Sequence, residues 1–281
     1  MTKTANNADL HCHSTRSDGL LSPADLVRRA QGNGVDLLAL TDHDELGGLP
    51  EARATATELG LAFIDGVEIS VSWGEDTTVH IVALNIDPAN ASLIQGLTQV
   101  RAGRDARARD MAAELDKVGI HGCYEGALAY VGNPALVGRA HFARYMVEQG
   151  LARDVKSVFD HWLAKGKPGY VAHPWASLEQ ALTWIQGAGG IAVLAHPGRF
   201  RLSAAEFRQL LEQFKALGGQ AIEVLSGAHN TQQTGEFARL ARQFDFAASR
   251  ASDFHGPGES WMDIGKLPPL PEGLRPVWEL F

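Results

Sequence analysis

The chain has 281 residues, 45% hydrophobic and 21% charged, a composition that excludes a disordered or fibrous protein and suffices for one large buried core. Its formal charge of −8 excludes a broad basic surface that grips long nucleic acid through many phosphates, but leaves room for a small phosphorylated ligand in a local positive pocket. Cys12 and Cys123 offer no disulfide framework, the polar start over 1–8 has no signal-peptide core, and no apolar run nears the ~18 residues of a spanning helix, so a cytoplasmic protein with no membrane partner is expected.

The first element is the stretch Asp9-Leu10-His11-Cys12-His13. As a strand it places Asp9, His11 and His13 on one face and turns Leu10 and Cys12 into the core. Two adjacent imidazoles aimed at one point can bind a transition metal; alone, the pair is as readily a surface accident. Ser22-Pro23-Ala24-Asp25 then starts a helix with a capping serine, a proline in the first turn and an early acid. An apolar run over 35–40 predicts a buried strand ending in Thr41-Asp42-His43-Asp44, a helix follows over 50–59, and a strand over 61–64 leads into Gly66-Val67-Glu68. Residues 79–86 form another strand, with His80 near its start. Strand and helix in alternation mark a parallel sheet or barrel.

The alternation stops over 90–166, where only helical patterns occur, at about 92–118, 124–130, 138–149 and 155–165. This stretch reads as an inserted all-helical subdomain between barrel segments 1–89 and 167–281. Its first helix carries Arg101, Arg104, Arg107 and Arg109, which a solvated face with i,i+4 pairs such as Arg101–Asp105 would also explain. The α/β alternation resumes at Gly169 to Pro174. Capping boxes at Ser177/Gln180 and Ser203/Glu206 start helices, the second running to Leu217. Strands follow at 191–195, 221–225 and 246–249, with a helix at 231–243, and the proline-rich tail is expected over the domain edge.

Collected, the polar residues at strand ends are His11, His13, Asp18, His43, Glu68, His80, His196, Asp253 and His255. In barrels and parallel sheets such ends converge on one mouth. Six histidines and three carboxylates crowded there call for divalent cations, and nine ligands exceed the needs of one ion, so two or three are expected. Each histidine alone reads more readily as a core or surface residue; their conjunction reverses that. His173-Pro174 lacks the Gly-Arg that follows His196-Pro197 and is placed at the rim, while His121, His141, His161 and His229 take structural roles. No Walker sequence or Gly-x-Ser-x-Gly elbow occurs, and Gly187 to Gly190 precedes a strand, which excludes a dinucleotide loop.

The blocks Asp9-Leu10-His11-Cys12-His13, Thr41-Asp42-His43, Gly66-Val67-Glu68, Ala195-His196-Pro197-Gly198-Arg199 and Ser252-Asp253-Phe254-His255 resemble the signatures of the PHP (polymerase and histidinol phosphatase) superfamily. With the insertion, Arg101-Ala102-Gly103-Arg104, Asn133 to Arg139 and Arg199, they resemble its nucleoside 3′,5′-bisphosphate phosphatases and short-RNA 5′–3′ exonucleases.

The resemblance implies an α/β fold, a distorted (β/α)7 barrel with a metal cluster at its mouth and the helical insertion as a lid. It implies His11, His13, Glu68 and Asp253 around one ion, Glu68 bridging to a second held by His80 and His196, and Asp18, His43 and His255 around a third. His11, His13, Glu68, His196 and Asp253 form the implied catalytic set, and Asp9 and Asp42 resemble acids that orient ligand imidazoles. Manganese is favoured over zinc, iron or magnesium. The implied reaction is in-line attack on phosphorus by a metal-bridging hydroxide, releasing the 3′-phosphate of a nucleoside 3′,5′-bisphosphate such as adenosine 3′,5′-bisphosphate. Arg199 would clamp the reacting phosphate, and Arg101, Arg104, Asn133 and Arg139 would bind the rest of the substrate. Three alternatives stay open: a 5′–3′ exoribonuclease on short 5′-phosphorylated RNA, a histidinol-phosphate phosphatase, and a non-catalytic binding module.

Overall fold

The computed structural model describes residues 5–74 and 77–281, so the first four positions of the polar start lie outside the described residues. Strand β1 (Ala8–Asp9) is followed by helix α1 (Pro23–Gly32), β2 (Leu37–Leu40), α2 (Leu49–Leu59), β3 (Ala62–Trp73) and β4 (Thr77–Leu84). Helices α3 (Ala91–Ala102), α4 (Arg104–Asp116), α5 (Cys123–Leu128), α6 (Arg139–Glu148) and α7 (Val155–Val158) come next. The chain then alternates through β5 (Ala176–Ser177), α8 (Leu178–Gly187), β6 (Ile191–Leu194), α9 (Ala204–Ala216), β7 (Ala221–Ser226), α10 (Thr231–Phe244) and β8 (Ala247–Ala251). The capping boxes read from Ser177/Gln180 and Ser203/Glu206 are both formed.

Seven strands follow one another around the sheet as β1-β2-β3-β4-β6-β7-β8, and β5 pairs with β3 off that path. Only β4 runs antiparallel to its neighbours, β3 and β6. The ring closes between its ends: Leu10 N–H donates to Arg250 O (3.0 Å), Asp253 N–H to His11 O (2.9 Å) and His13 N–H to Phe254 O (2.9 Å). This is the distorted seven-stranded barrel that the resemblance implies.

Strand β3 is far longer than the 61–64 strand predicted. Residues 62–65 pair with β2 and residues 66–73 with β4. The change of partner falls at Gly66, where a Cβ would stand 2.8 Å from Thr41 Cγ2 and 2.9 Å from Ala83 O. The arginine-rich helix predicted over 92–118 breaks at Gly103, where a Cβ would stand 2.1 Å from the His173 ring. No strand forms at 169–174, where the alternation was expected to resume; those residues make no ladder, and β5 follows two positions later. The helix predicted over 155–165 is α-helical only through α7 and then widens into a π turn at Phe159–Leu163.

The break at Gly103 separates two packing environments. Leu93 and Leu97 of α3 join the barrel cluster with Leu178, Ala181 and Ile185 of α8. From α4 onward the insertion has its own cluster, including Met111, Leu115, Phe142, Met146 and Leu163. At the far end of the barrel, Val277 and Trp278 of the proline-rich tail cover Leu10, Ile64 and Val193. Buried Arg250 holds that end, donating to the carbonyls of Ala8, Leu267 and Pro268. Among the described residues no helix is long and apolar enough to cross a membrane.

Helix α6 seats the insertion on the loop after β1. His141 Nδ1 accepts from Gly138 N–H (3.1 Å), and its Nε2 lies 3.2 Å from Ser17 O, so the neutral ring donates there. Arg144 donates to Asp18 O and grips Glu259 through two bonds of 2.8 Å.

Two outcomes are expected. Phe142→Ala, which empties the centre of the insertion's cluster, lowers stability by about 3–5 kcal/mol in denaturant titration; a loss below 1 kcal/mol would show the cluster carries little. Burial pushes the His141 imidazole down to about 4 from an ordinary 6.5. The unfolded chain therefore takes up a proton between those values that the native chain refuses, and this stabilisation fades as pH falls from 6.5 toward 4. His141→Gln keeps an acceptor and a donor without a titratable ring. Between pH 6.5 and 5.5, in chelator, it should lose up to about 1.4 kcal/mol less than the parent; equal losses refute the assignment.

Candidate metal centre

Where parallel strands end, the barrel gathers side chains at one mouth. The extended chain after β1 supplies His11 and His13, and its loop supplies Asp18. His43 follows β2 and pairs by an isolated bridge with Glu68. His196 follows β6, and Asp253 and His255 follow β8. His80 lies early in β4, but β4 runs the opposite way, so its beginning reaches the same mouth. Glu68 sits inside β3 rather than at a strand end, because β3 continues past its parallel partner.

All nine residues singled out in the sequence come together. Four groups have their ligand atoms within 4.8 Å of one another: His13, Asp18, His43 and His255; His11, His13 and Asp253; His11, Glu68 and His196; and His43, Glu68 and His80. His11, His13 and Glu68 are fully buried. Glu68 Oε1 lies 2.8 Å from His80 Nδ1 and 2.9 Å from His196 Nε2. Its Oε2 lies 2.8 Å from His43 Nδ1 and 3.3 Å from the Nε2 atoms of His11 and His13. Yet Oε2 and His43 Nδ1 are buried with no hydrogen-bond partner. A carboxylate oxygen and imidazole nitrogens that converge without a hydrogen-bond partner are what a cation would satisfy, so the donor set fits divalent metal ions.

The charges are strongly coupled. Burial opposes ionisation of Glu68, but the imidazoles of His43, His80 and His11 outweigh it and hold the carboxyl well below its usual range. Asp253 is held down in the same way against burial, by Arg199 and His11. Burial pushes His80 and His255 down to about 4. For His13 burial acts in that sense too, but Asp253, Glu68 and Asp18 prevail and raise it to about 10.

The supporting acids differ from those expected. Asp9 orients no imidazole: its oxygens accept from Ser252 N–H (2.8 Å) and Gly265 N–H (2.7 Å), pinning the loop that carries Asp253 from behind. The strand alternation that would turn Asp9 toward His11 ends with the two-residue ladder of β1. Asp42 accepts from the N–H and hydroxyl of Ser14 and from Ser17 Oγ, and Ser17 Oγ lies 3.5 Å from His13 Nδ1. Asp42 thus reaches the imidazole only through a serine. The acid that meets a ligand imidazole directly is Glu223, 2.6 Å from His11 Nδ1. The sequence reading missed it inside the apolar run of β7; the signal was a carboxylate with polar neighbours on neither side.

The residues expected to bind substrate lie in two places. Arg199, half exposed, pairs with Asp253 at 2.7 Å. Arg101 donates to Asp44 O, and Arg104 pairs with the Asp44 carboxylate beside Ser70. Gly138, which precedes Arg139, lies against Arg104: a Cβ there would stand 3.6 Å from Nη1. Asn133 is exposed and caps a 3-10 turn by accepting from Ala135 N–H. Arg107, named with its helix's arginines but not among the expected substrate contacts, is buried against Trp175 and, among the described residues, bonds Val171 O. His173 packs on the edge of Trp175 and belongs to none of the four groups. His121, His161 and His229 likewise meet structural partners: Asp116, Ser157 O, and the Gly198 N–H with Val224 O.

Comparison with known proteins agrees with this geometry. The chain is 50% identical, over 97% of its length and 95% of the relative's, to a 3′,5′-nucleoside bisphosphate phosphatase from Chromobacterium violaceum. It is 43% identical, over 97% of its length and 93% of the relative's, to the 5′–3′ exoribonuclease Rnm of Escherichia coli. A solved structure of a Chromobacterium violaceum amidohydrolase, which holds sulfate and no metal, superposes with a TM-score of 0.94 at 50% identity, covering 98% of this chain and 95% of that one. A Bifidobacterium adolescentis chain assigned as a metal-dependent phosphoesterase superposes with a TM-score of 0.80 at 30% identity, covering 97% and 93%. With the PHP domain model matching residues 9–224 and its blocks folded into one mouth, the chain belongs to the PHP family.

Proposed function

We propose that the protein is a metal-dependent phosphoesterase that removes the 3′-phosphate from nucleoside 3′,5′-bisphosphates, turning adenosine 3′,5′-bisphosphate into AMP and phosphate. The observation that carries this is the buried cluster around Glu68, whose Oε2 converges with imidazole nitrogens at the mouth of the barrel without a hydrogen-bond partner. Two or three divalent ions would be held by His11, His13, Asp18, His43, Glu68, His80, His196, Asp253 and His255. Such ions supply Lewis acidity toward a phosphoryl oxygen and bring the pKa of water toward neutrality. The mix of imidazole and carboxylate favours manganese, with zinc or iron next and magnesium least. Arg199 is free enough to turn from Asp253 to the reacting phosphate.

The second phosphate meets the insertion, residues 90–166, acting as a lid. Arg101 and Arg104 are held by Asp44, and the Arg104 Nε is buried without a partner. Arg107 and Arg139 have no carboxylate partner among the described residues. Burial, together with the like charges of Arg139 and Arg104, depresses the Arg107 guanidinium. An anion among these three groups relieves both effects, so they form a site for a phosphate dianion in a chain that is acidic overall. This pairing of two anion sites selects a bisphosphate over a monophosphate. The Escherichia coli relative supports a second activity on the same centre, stepwise hydrolysis of short 5′-phosphorylated RNA.

Phosphate release from a nucleotide panel tests the proposal. Chelated protein should be inactive, and added manganese should restore release of phosphate and AMP from adenosine 3′,5′-bisphosphate. Protein that binds manganese yet acts on no phosphate ester refutes it. Arg107→Ala or Arg139→Ala should raise KM for the bisphosphate 10- to 100-fold, about 1.4–2.7 kcal/mol, and leave hydrolysis of 3′-AMP within twofold. An unchanged preference for the bisphosphate removes the two-anion site.

A further inference from the structure

Glu223 is fully buried in the middle of β7, between apolar neighbours, and the hydrolytic reading gives it no role. Its two oxygens are both engaged. Oε1 lies 2.6 Å from His11 Nδ1, and Oε2 accepts from the backbone N–H of His196 at 2.6 Å. His11 and His196 approach the Glu68 carboxylate from strands on opposite flanks of β7, β1 by way of β8, and β6. His196 also has φ +27°, a conformation that an L-residue seldom holds unaided.

We propose that Glu223 is a positioning residue that aligns two metal ligands at once: it keeps the His11 proton on Nδ1, freeing Nε2 for a cation, and it locks the backbone turn that aims the His196 ring. This rests on the metal centre proposed above. The chemistry is specific to a carboxylate. The His196 N–H is a donor, the proposed tautomer makes His11 Nδ1 a second, and an ionised carboxylate accepts through both oxygens. The amide of Glu223→Gln has one oxygen and one NH2. If its oxygen serves His196, the NH2 faces His11 Nδ1 and drives the ring proton to Nε2, the atom that must bind metal. If its oxygen serves His11, the NH2 faces the His196 N–H and the turn loses its clasp. The substitution keeps shape and volume while satisfying only one of the two donors.

Binding of manganese(II) alone, followed by calorimetry and metal analysis, provides a readout independent of turnover. Glu223→Gln, shown to be folded by thermal unfolding in chelator, should bind manganese 10- to 100-fold more weakly than the parent. In the zinc-loaded parent, nitrogen-correlated NMR should show His11 protonated on Nδ1, its signal assigned by its absence in His11→Gln. A lowered melting temperature with manganese affinity within twofold of the parent would mean a merely structural carboxylate and overturn the proposal. So would a His11 protonated on Nε2 in the zinc-loaded parent, a result that holds even if the variant does not fold. A parent that binds no manganese or zinc overturns the metal centre itself and this inference with it, whereas equal binding by parent and variant overturns the role of Glu223 alone.

Discussion

The organisation of this molecule follows from burying Glu68 amid five imidazoles. A carboxylate removed from water must be compensated closely and on both oxygens. Here His80 and His196 meet one oxygen, and His11, His13 and His43 approach the other. These rings come from β1, β2, β4 and β6, so the arrangement exists only when the ring of strands is closed. The path of β3 is what delivers Glu68 to that point. It leaves β2 at Gly66, where any side chain would collide with Thr41 and Ala83, and proceeds along antiparallel β4. The same inversion brings His80 to the mouth from the beginning of its strand rather than its end.

The insertion serves the same centre from outside. Through His141 and Arg144 its helix α6 holds Ser17 and Asp18, the loop that completes one of the candidate ligand groups. Arg144 simultaneously binds Glu259, beyond His255, so one guanidinium ties the loops after β1 and β8. Its arginines meanwhile concentrate positive charge in a chain of net charge −8. Long-range attraction for polyanions is therefore weak, while the proposed local site would still hold a small phosphate, since the effect of a buried charge is barely screened at contact distance.

Sequence made the convergence of the candidate ligands legible because each is a polar interruption beside a short apolar run, and because barrel strands deliver their ends to one place. Helix starts were legible for a local reason: Ser22, Ser177 and Ser203 each cap a helix through atoms three residues away. What escaped the reading depends on contacts distant in sequence. The length of β3 is set by β4, not by its own alternation. The break at Gly103 is set by His173, seventy residues on. Asp9 stands two residues from His11 yet faces Ser252 and Gly265, whereas Glu223, more than two hundred residues away, faces the ring. Proximity in sequence was a poor guide to which acid supports which imidazole.

The backbone records what assembling the centre costs. Among the described residues, five that are not glycine have positive φ, and three of them belong to this region: Asp44, His196 and Asp253. Such conformations cost about 1–3 kcal/mol each and persist where surrounding contacts over-determine them. Each of the three has that support. Asp44 binds Ser70 and Arg104, His196 is clasped by Glu223, and Asp253 donates its N–H to His11 O. None of these clasps comes from the residue's own strand. The strain is therefore carried by the barrel as a whole, and the centre can be rigid although nearly all of its candidate ligands lie where strands give way to loops. A fold that holds its ligands in place before any cation arrives spends less of the binding energy on ordering them, which is the physical use of so large a supporting shell.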